Sequence, residues 1–200
     1  RFFARSRRRL AACCKQSRVP VTNSPTSFPK AITLSERTHV GGNIQLPGSK
    51  SISNRALLLA ALAKGNTRLH NLLDSDDTRY MLGALSDLGV QVDVGDEQTA
   101  TVTGVNGPLV TNNTSDTPVE LQLGMAGTAY RPLTAALCLG TGVFDLLGNK
   151  RMSERPIGHL VDGLRLLGGD ISYLGQRDFP PVRVKGTGLS GGKITMRGDI

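Results

Sequence analysis

Three stretches of this chain set cations, hydroxyls and glycines at spacings that suit the binding of a small anion. The first is Gly48-Ser49-Lys50-Ser51-Ile52-Ser53-Asn54-Arg55, where an ammonium, a guanidinium and three hydroxyls stand at the entrance of an apolar run. If that run is a helix, its free backbone N–H groups and the positive end of its dipole add to the side chains. Serines that cap the helix, with Lys50 and Arg55 solvated, explain the same residues equally well. A P-loop is excluded, because Lys50 does not directly follow Gly48 and no glycine stands five residues before Gly48. The second stretch is Gly124-Met125-Ala126-Gly127-Thr128, with Arg131 one helical turn on. Its small residues would let a ligand reach the backbone, although close packing against a neighbouring element accounts for such glycines more simply. The third runs from Lys150 through Arg151 to Arg155 and gathers three cations, a pattern that by itself usually marks a solvated face. All three lie where a strand hands over to a helix, and equivalent junctions in a repeated fold can converge on one ligand. A small polyanion is the ligand they suit.

The elements that must position these loops come in a repeating order. In the first unit, about residues 43–104, a strand is expected at Asn43–Leu46, a helix at Asn54–Ala63 and a strand at Thr67–Leu73. A second helix follows, N-capped by Asp74, Ser75 or Asp76, with Met81, Leu82, Leu85 and Leu88 on one face. Alternating Val90, Val92 and Val94, a Gly95-Asp96 turn and Thr99–Thr103 close the unit as a hairpin. In the second unit, about residues 119–186, the same order reads as strand Val119–Leu123, helix Thr128–Leu139 and strand Val143–Leu147. A helix opened by Pro156 and strands Asp170–Leu174 and Val182–Lys185 complete it. An offset of 76 aligns Gly48, Arg55, Leu57 and Ala60 with Gly124, Arg131, Leu133 and Ala136, and an offset of 79 aligns Leu85, Leu88 and Gly89 with Leu164, Leu167 and Gly168. The reading is an α/β fold of tandem βαβαββ units, two complete and a third beginning near Lys193.

Composition narrows the class. The net charge of +8 suggests nucleic acid only if it is spread over the fold. It is not: eight of the 24 basic residues fall within residues 1–30, which hold no acid, and the other 16 face 16 acids. Residues 1–31 therefore read as an organelle-targeting leader and a Pro/Ser/Thr linker, with the folded domain at 32–200; a basic tail is the plainer alternative. No apolar run is long enough for a membrane helix, the longest being Ala56–Ala63. Neither nucleic acid nor membrane is an expected partner. Cys138 lies in an apolar stretch, and His39, His70 and His159 have no metal-ligand spacing, so no metal and no cofactor is expected.

Leu46–Ala63 resembles a signature of the 5-enolpyruvylshikimate-3-phosphate synthase family, and Leu72–Arg79, Ala126–Leu133 and Arg151–Asp162 agree with it in order. The resemblance runs from about Thr38 to Ile200. It implies the enolpyruvyl transferase fold, an inside-out α/β barrel of two domains with three βαβαββ units each and substrates in the cleft between them. It implies that Lys50, Ser51 and Arg55 bind shikimate-3-phosphate, that Lys50 also reaches phosphoenolpyruvate, and that Gly127 and Arg151 hold phosphoenolpyruvate. It places catalytic acid and base residues beyond Ile200, in a C-terminal domain required for activity, and puts the pathway in the plastid. Two residues depart from the family pattern: Met125 stands where asparagine is usual before Ala-Gly-Thr, and Tyr130 where methionine is common. The related transferase of cell-wall synthesis, acting on a UDP-sugar, lacks the Lys50–Arg55 pattern. An inactive remnant, or an anion-binding module of the same fold, is the non-enzymatic alternative.

Overall fold

The computed structural model describes residues 31–196, apart from residues 32, 34, 37, 40, 45 and 97. The expected leader and linker, up to Lys30, and the last four residues lie outside it. The chain divides between Ile44 and Gln45, and the first unit has no helix or strand among its described residues. In the second, the elements follow in the order α1 (Lys50–Leu62), β1 (Lys64–Leu69), α2 (Asp76–Asp87), β2 (Gln91–Val94) and β3 (Ala100–Val105). They continue with β4 (Val119–Gln122), α3 (Gly127–Cys138), β5 (Thr141–Leu147), α4 (Gly158–Leu166), β6 (Asp170–Tyr173) and β7 (Val182–Thr187).

The two repeats build the same sheet. In the first, β1, β3 and β2 lie side by side and antiparallel; in the second, β5, β7 and β6 repeat that order, and β4 adds a parallel strand on the free side of β5. The counterpart of β4, expected at Asn43–Leu46, shows no strand among its described residues: Asn43, Ile44 and Leu46 are in no ladder, and Ile44 and Leu46 are exposed. A parallel strand gains its place by burying alternate side chains and pairing its backbone, and the described residues of this segment do neither.

Specific residues repeat as well. Gly89 and Gly168 have positive φ just beyond α2 and α4, and in both the next N–H turns back to a leucine carbonyl, Val90 to Leu85 and Gly169 to Leu164. This is the closure that favours glycine after a helix. Gly104 on β3 lies under the end of α1, against the carbonyls of Ala60 and Ala63, and Gly186 on β7 lies under the end of α3, against Leu137 and Gly140. A methyl group at either position would push helix from sheet.

The core is one continuous cluster. α1 packs on α2, α3 and β3, and α3 packs on β5 and β7, so helices lie inside with the sheets against them, as an inside-out arrangement requires. The apolar run of α1 is buried along Leu57, Leu58, Ala60 and Ala61, and α3 buries Leu133, Ala136, Leu137 and Cys138. Both exposed exceptions on α1, Ile52 and Leu59, share its outer side.

Candidate functional site

α1 begins at Lys50, four residues earlier than the periodicity suggests, because the run Lys50–Arg55 is itself helical. At 3.6 residues per turn, Lys50 and Asn54 stack, as do Ser51 and Arg55. The serines do not cap in the expected way. Ser49, at the N-cap position, makes no side-chain cap bond, while the buried Ser53 hydroxyl accepts from the Leu73 N–H at 3.0 Å and ties the α1 entrance to the chain after β1. Ser51 is half-buried, and Lys50 and Arg55 are exposed. Arg55 makes no ion pair among the described residues.

Lys50 is held differently. Its Nζ lies 3.6 Å from Asp77 Oδ2, and the same oxygen accepts from the Thr128 hydroxyl at 2.9 Å. Thr128 Oγ1 in turn accepts from Asn54 Nδ2 at 2.8 Å. Asp77 sits in the first turn of α2, where its charge suits the helix dipole, and Ser75 caps that helix by accepting from the Thr78 N–H. The entrances of α1, α2 and α3 therefore meet at one polar cluster, which brings the first and second cationic stretches together.

At the second stretch the φ of Gly124 is positive and the Tyr80 ring lies against its Cα, so no side chain would fit there. Gly127 is buried, and the groups nearest to where its Cβ would stand are Nη1 of Arg155 at 2.8 Å and Nη1 of Arg131 at 3.0 Å. Arg155 donates to the Met125 carbonyl at 3.4 Å, and Arg131 to the Pro156 carbonyl at 3.0 Å. Burial pushes the Arg131 guanidinium below its ordinary value, and the charge of Arg155 adds to that shift. Met125, Arg151, Glu154 and Arg155 line an open cavity of about 460 Å³ beside this pair. Arg151 and Arg155 both stand exposed on the cavity, and Arg155 is the member of the third stretch set against Gly127.

Arg155, Asp77 and Thr128 were not singled out as binding residues from the chain alone. A signal existed for two of the cluster's members. Asp77 shares the buried face of α2 with Met81 and Ala84, and Asn54 shares that of α1 with Leu57, Leu58 and Ala61. A polar residue on an apolar stripe marks a group with a buried partner. Nothing local distinguishes Arg155 from Arg151, because only the turn at 149–155 decides which guanidinium lies against Gly127.

Among the described residues, no three His, Cys, Asp or Glu side chains group closely enough to hold a metal ion, and no helix is long and apolar enough to cross a membrane.

Tandem βαβαββ-type units with helices inside, and cationic loops at the helix entrances, define the class of protein, and comparison with known proteins makes it specific. Residues 34–200 match the family model of EPSP synthase, 3-phosphoshikimate 1-carboxyvinyltransferase. The chain belongs to that family. It is 55% identical over 172 residues to the 3-phosphoshikimate 1-carboxyvinyltransferase of Photobacterium damsela subsp. piscicida, covering 86% of this chain and 39% of that protein. It is 56% identical over 171 residues to the protein of the same name from Serratia proteamaculans, covering 85% and 39%. A solved EPSP synthase from Acinetobacter baumannii superposes with a TM-score of 0.64 at 29% identity, over 72% of this chain and 32% of that one. The chain spans about two fifths of the length of these curated relatives.

Proposed function

We propose that this chain is the N-terminal part of a transferase that moves the enolpyruvyl group of phosphoenolpyruvate onto the 5-hydroxyl of shikimate-3-phosphate, releasing phosphate. The observation that carries the reading is the pairing of like charges at Gly127, where Arg131 and Arg155 face the same backbone position beside an open cavity. Two guanidiniums so close repel each other, and an anion between them relieves the repulsion.

In this reading Lys50, Ser51 and Arg55 take shikimate-3-phosphate, and Lys50 also reaches phosphoenolpyruvate. Gly127, Arg155 and Arg131 hold phosphoenolpyruvate, with Arg151 on the rim. The cations offset the repulsion between two phosphorylated acids and orient the reacting atoms. In the reaction the enol carbon gains a proton and the 5-hydroxyl oxygen adds to the carbon bearing the phosphate. The hydroxyl proton leaves as its oxygen adds, and the tetrahedral intermediate then loses phosphate together with a proton from the newly formed methyl group, which restores the carbon–carbon double bond. The acid and base for these steps are expected beyond Ile200, so this chain supplies binding and orientation, and no cofactor is invoked.

Calorimetric titration of the full-length protein tests the assignment. Arg155→Ala should weaken phosphoenolpyruvate binding about tenfold or more, the size of one lost charge-assisted bond, and Arg151→Ala by less. Unchanged affinity in both variants would refute the anion site. The second reading, an inactive remnant or anion-binding module, draws on Met125, which sets a thioether on the cavity where the family pattern has an amide. Absence of turnover in the full-length protein, with both acids bound, would favour it. The plastid assignment draws on the acid-free basic leader for import and on the family's pathway for the organelle, with the mitochondrion and the cytoplasm as alternatives, and not on the relatives named above, which are bacterial. Failure of residues 1–31 to carry a fluorescent protein into isolated chloroplasts would remove it.

A further inference from the structure

We infer that Asp77 is a positioning residue whose carboxylate fixes the Lys50 ammonium and the Gly127–Thr128 turn in one arrangement, so that the anion loops of both repeats face the same ligand. The ligand rests on the function proposed above; the arrangement rests on geometry alone. One oxygen, Oδ2, takes both contacts, Thr128 Oγ1 at 2.9 Å and Lys50 Nζ at 3.6 Å. The Asp77 side chain is 12% exposed and that of Lys50 48%, so the acid is the anchored member of the pair.

Asn54 closes the chain of contacts from the other side. Its Nδ2 donates to Thr128 Oγ1, which leaves the Thr128 hydroxyl to donate to Asp77 and keeps the carboxylate as acceptor. Asn54 Oδ1 is the one buried side-chain polar atom without a partner among the described residues. An amide satisfied on its donor side only is a poor contributor to a core, so its place here fits a group held for what it orients. Each helix supplies its member near its entrance: Lys50 and Asn54 on α1, Asp77 on α2, Thr128 on α3. Thr128 adjoins Gly127 covalently, and losing its bond frees the wall that Arg131 and Arg155 share. Lys50, released from Asp77, becomes a flexible stem in water.

Three variants test the inference: Asp77→Ala, Thr128→Val and Thr128→Ser. Without ligand, amide hydrogen exchange is followed at Ala129 and Tyr130, whose N–H groups close the first turn of α3 on the Ala126 carbonyl. In Asp77→Ala and Thr128→Val both should exchange about tenfold faster or more, by a larger factor than Phe144 and Val184 in the sheet, which track global stability. With phosphoenolpyruvate as probe in the full-length protein, both variants should bind about tenfold more weakly or worse, the loss expected from one hydrogen bond to a charged group. Thr128→Ser, which keeps the hydroxyl, should restore both readouts to within about threefold. If Asp77→Ala does not fold, Thr128→Val decides alone. Exchange at Ala129 and Tyr130 that rises no more than in the sheet, or affinity untouched by Thr128→Val, overturns the inference. A parent protein that binds no phosphoenolpyruvate sinks the proposed function instead, and the exchange rates still judge Asp77.

Discussion

Gly127 concentrates the residue-scale chemistry. A Cβ there would press on the ends of two long, flexible side chains and not on backbone, so Gly127→Ala should fold normally and move the guanidiniums. The expected outcome is weaker phosphoenolpyruvate binding by calorimetry with an unchanged unfolding midpoint and unchanged affinity for shikimate-3-phosphate. Met125 gives the opposite test. Its exposed thioether lines the cavity and can donate nothing to an anion, whereas an amide can. Met125→Asn should therefore strengthen phosphoenolpyruvate binding by about 0.5–1.5 kcal/mol, the ordinary net worth of one hydrogen bond. An equal or weaker affinity would show that the side chain points past the ligand.

At the scale of elements, α3 is the piece on which most depends, since it carries Gly127 and Thr128 at one end and the core of the second repeat along its length. The other departure from the family pattern, Tyr130, has a structural use. Its ring is fully buried, and its hydroxyl donates to the Leu146 carbonyl at 2.6 Å and accepts from the Val182 N–H at 3.2 Å, two residues that face each other across β5 and β7. The phenol thus bridges the ends of two strands. Tyr130→Phe strands both backbone groups in the core and should cost about 1–3 kcal/mol in urea unfolding. A loss below about 0.5 kcal/mol would mean that the strands re-pair directly. Cys138, near the end of the same helix, supplies a pH test. Burial, and then the charge of Asp170, pushes its thiol up to about 11. A raised folded value means that the unfolded chain loses its proton first, near a pH of about 8.5. The contribution is complete below that pH and declines as pH rises towards 11. Unfolding followed from pH 8 to 11 should show a steeper fall in the parent than in Cys138→Ala.

For the whole molecule the decisive fact is length. The chain covers about two fifths of its curated relatives, and the acid and base are proposed to lie in the remainder. Residues 1–200 alone should show no enolpyruvyl transfer and at most weak affinity for shikimate-3-phosphate, because charge contacts on an open wall are screened by water and salt. Adding the remainder of the full-length protein as a separate chain should restore activity. Transfer by the fragment alone, with host enzyme excluded, would place the catalytic groups within it. A chain beginning at Ile32 should unfold at the same temperature as the longer one; a large drop would assign the leader a part in the fold.

Much of this could be read from residues in order. Hydrophobic spacing and terminal glycines located both helix pairs and both hairpins, because a helix or strand must bury one face whatever surrounds it. The repeat was legible for the same reason, down to the equivalence of Gly89 with Gly168. The long motifs from Leu46 to Asp162 fixed the family, which the comparisons then showed. Periodicity misplaced what depends on neighbours distant in sequence. Asn43–Leu46 alternates like a strand, yet no ladder holds its described residues. The start of α1 at Lys50 was hidden because serines suit both cap and helix. Only the tertiary structure chose Arg155 over Arg151 beside Gly127, and only it joined Lys50 to Thr128 through Asp77, across 78 residues of chain. Local propensity acts over one or two helical turns. Which charged side chains meet is set by how helices pack, and that is decided by the burial of apolar faces that carry no charge.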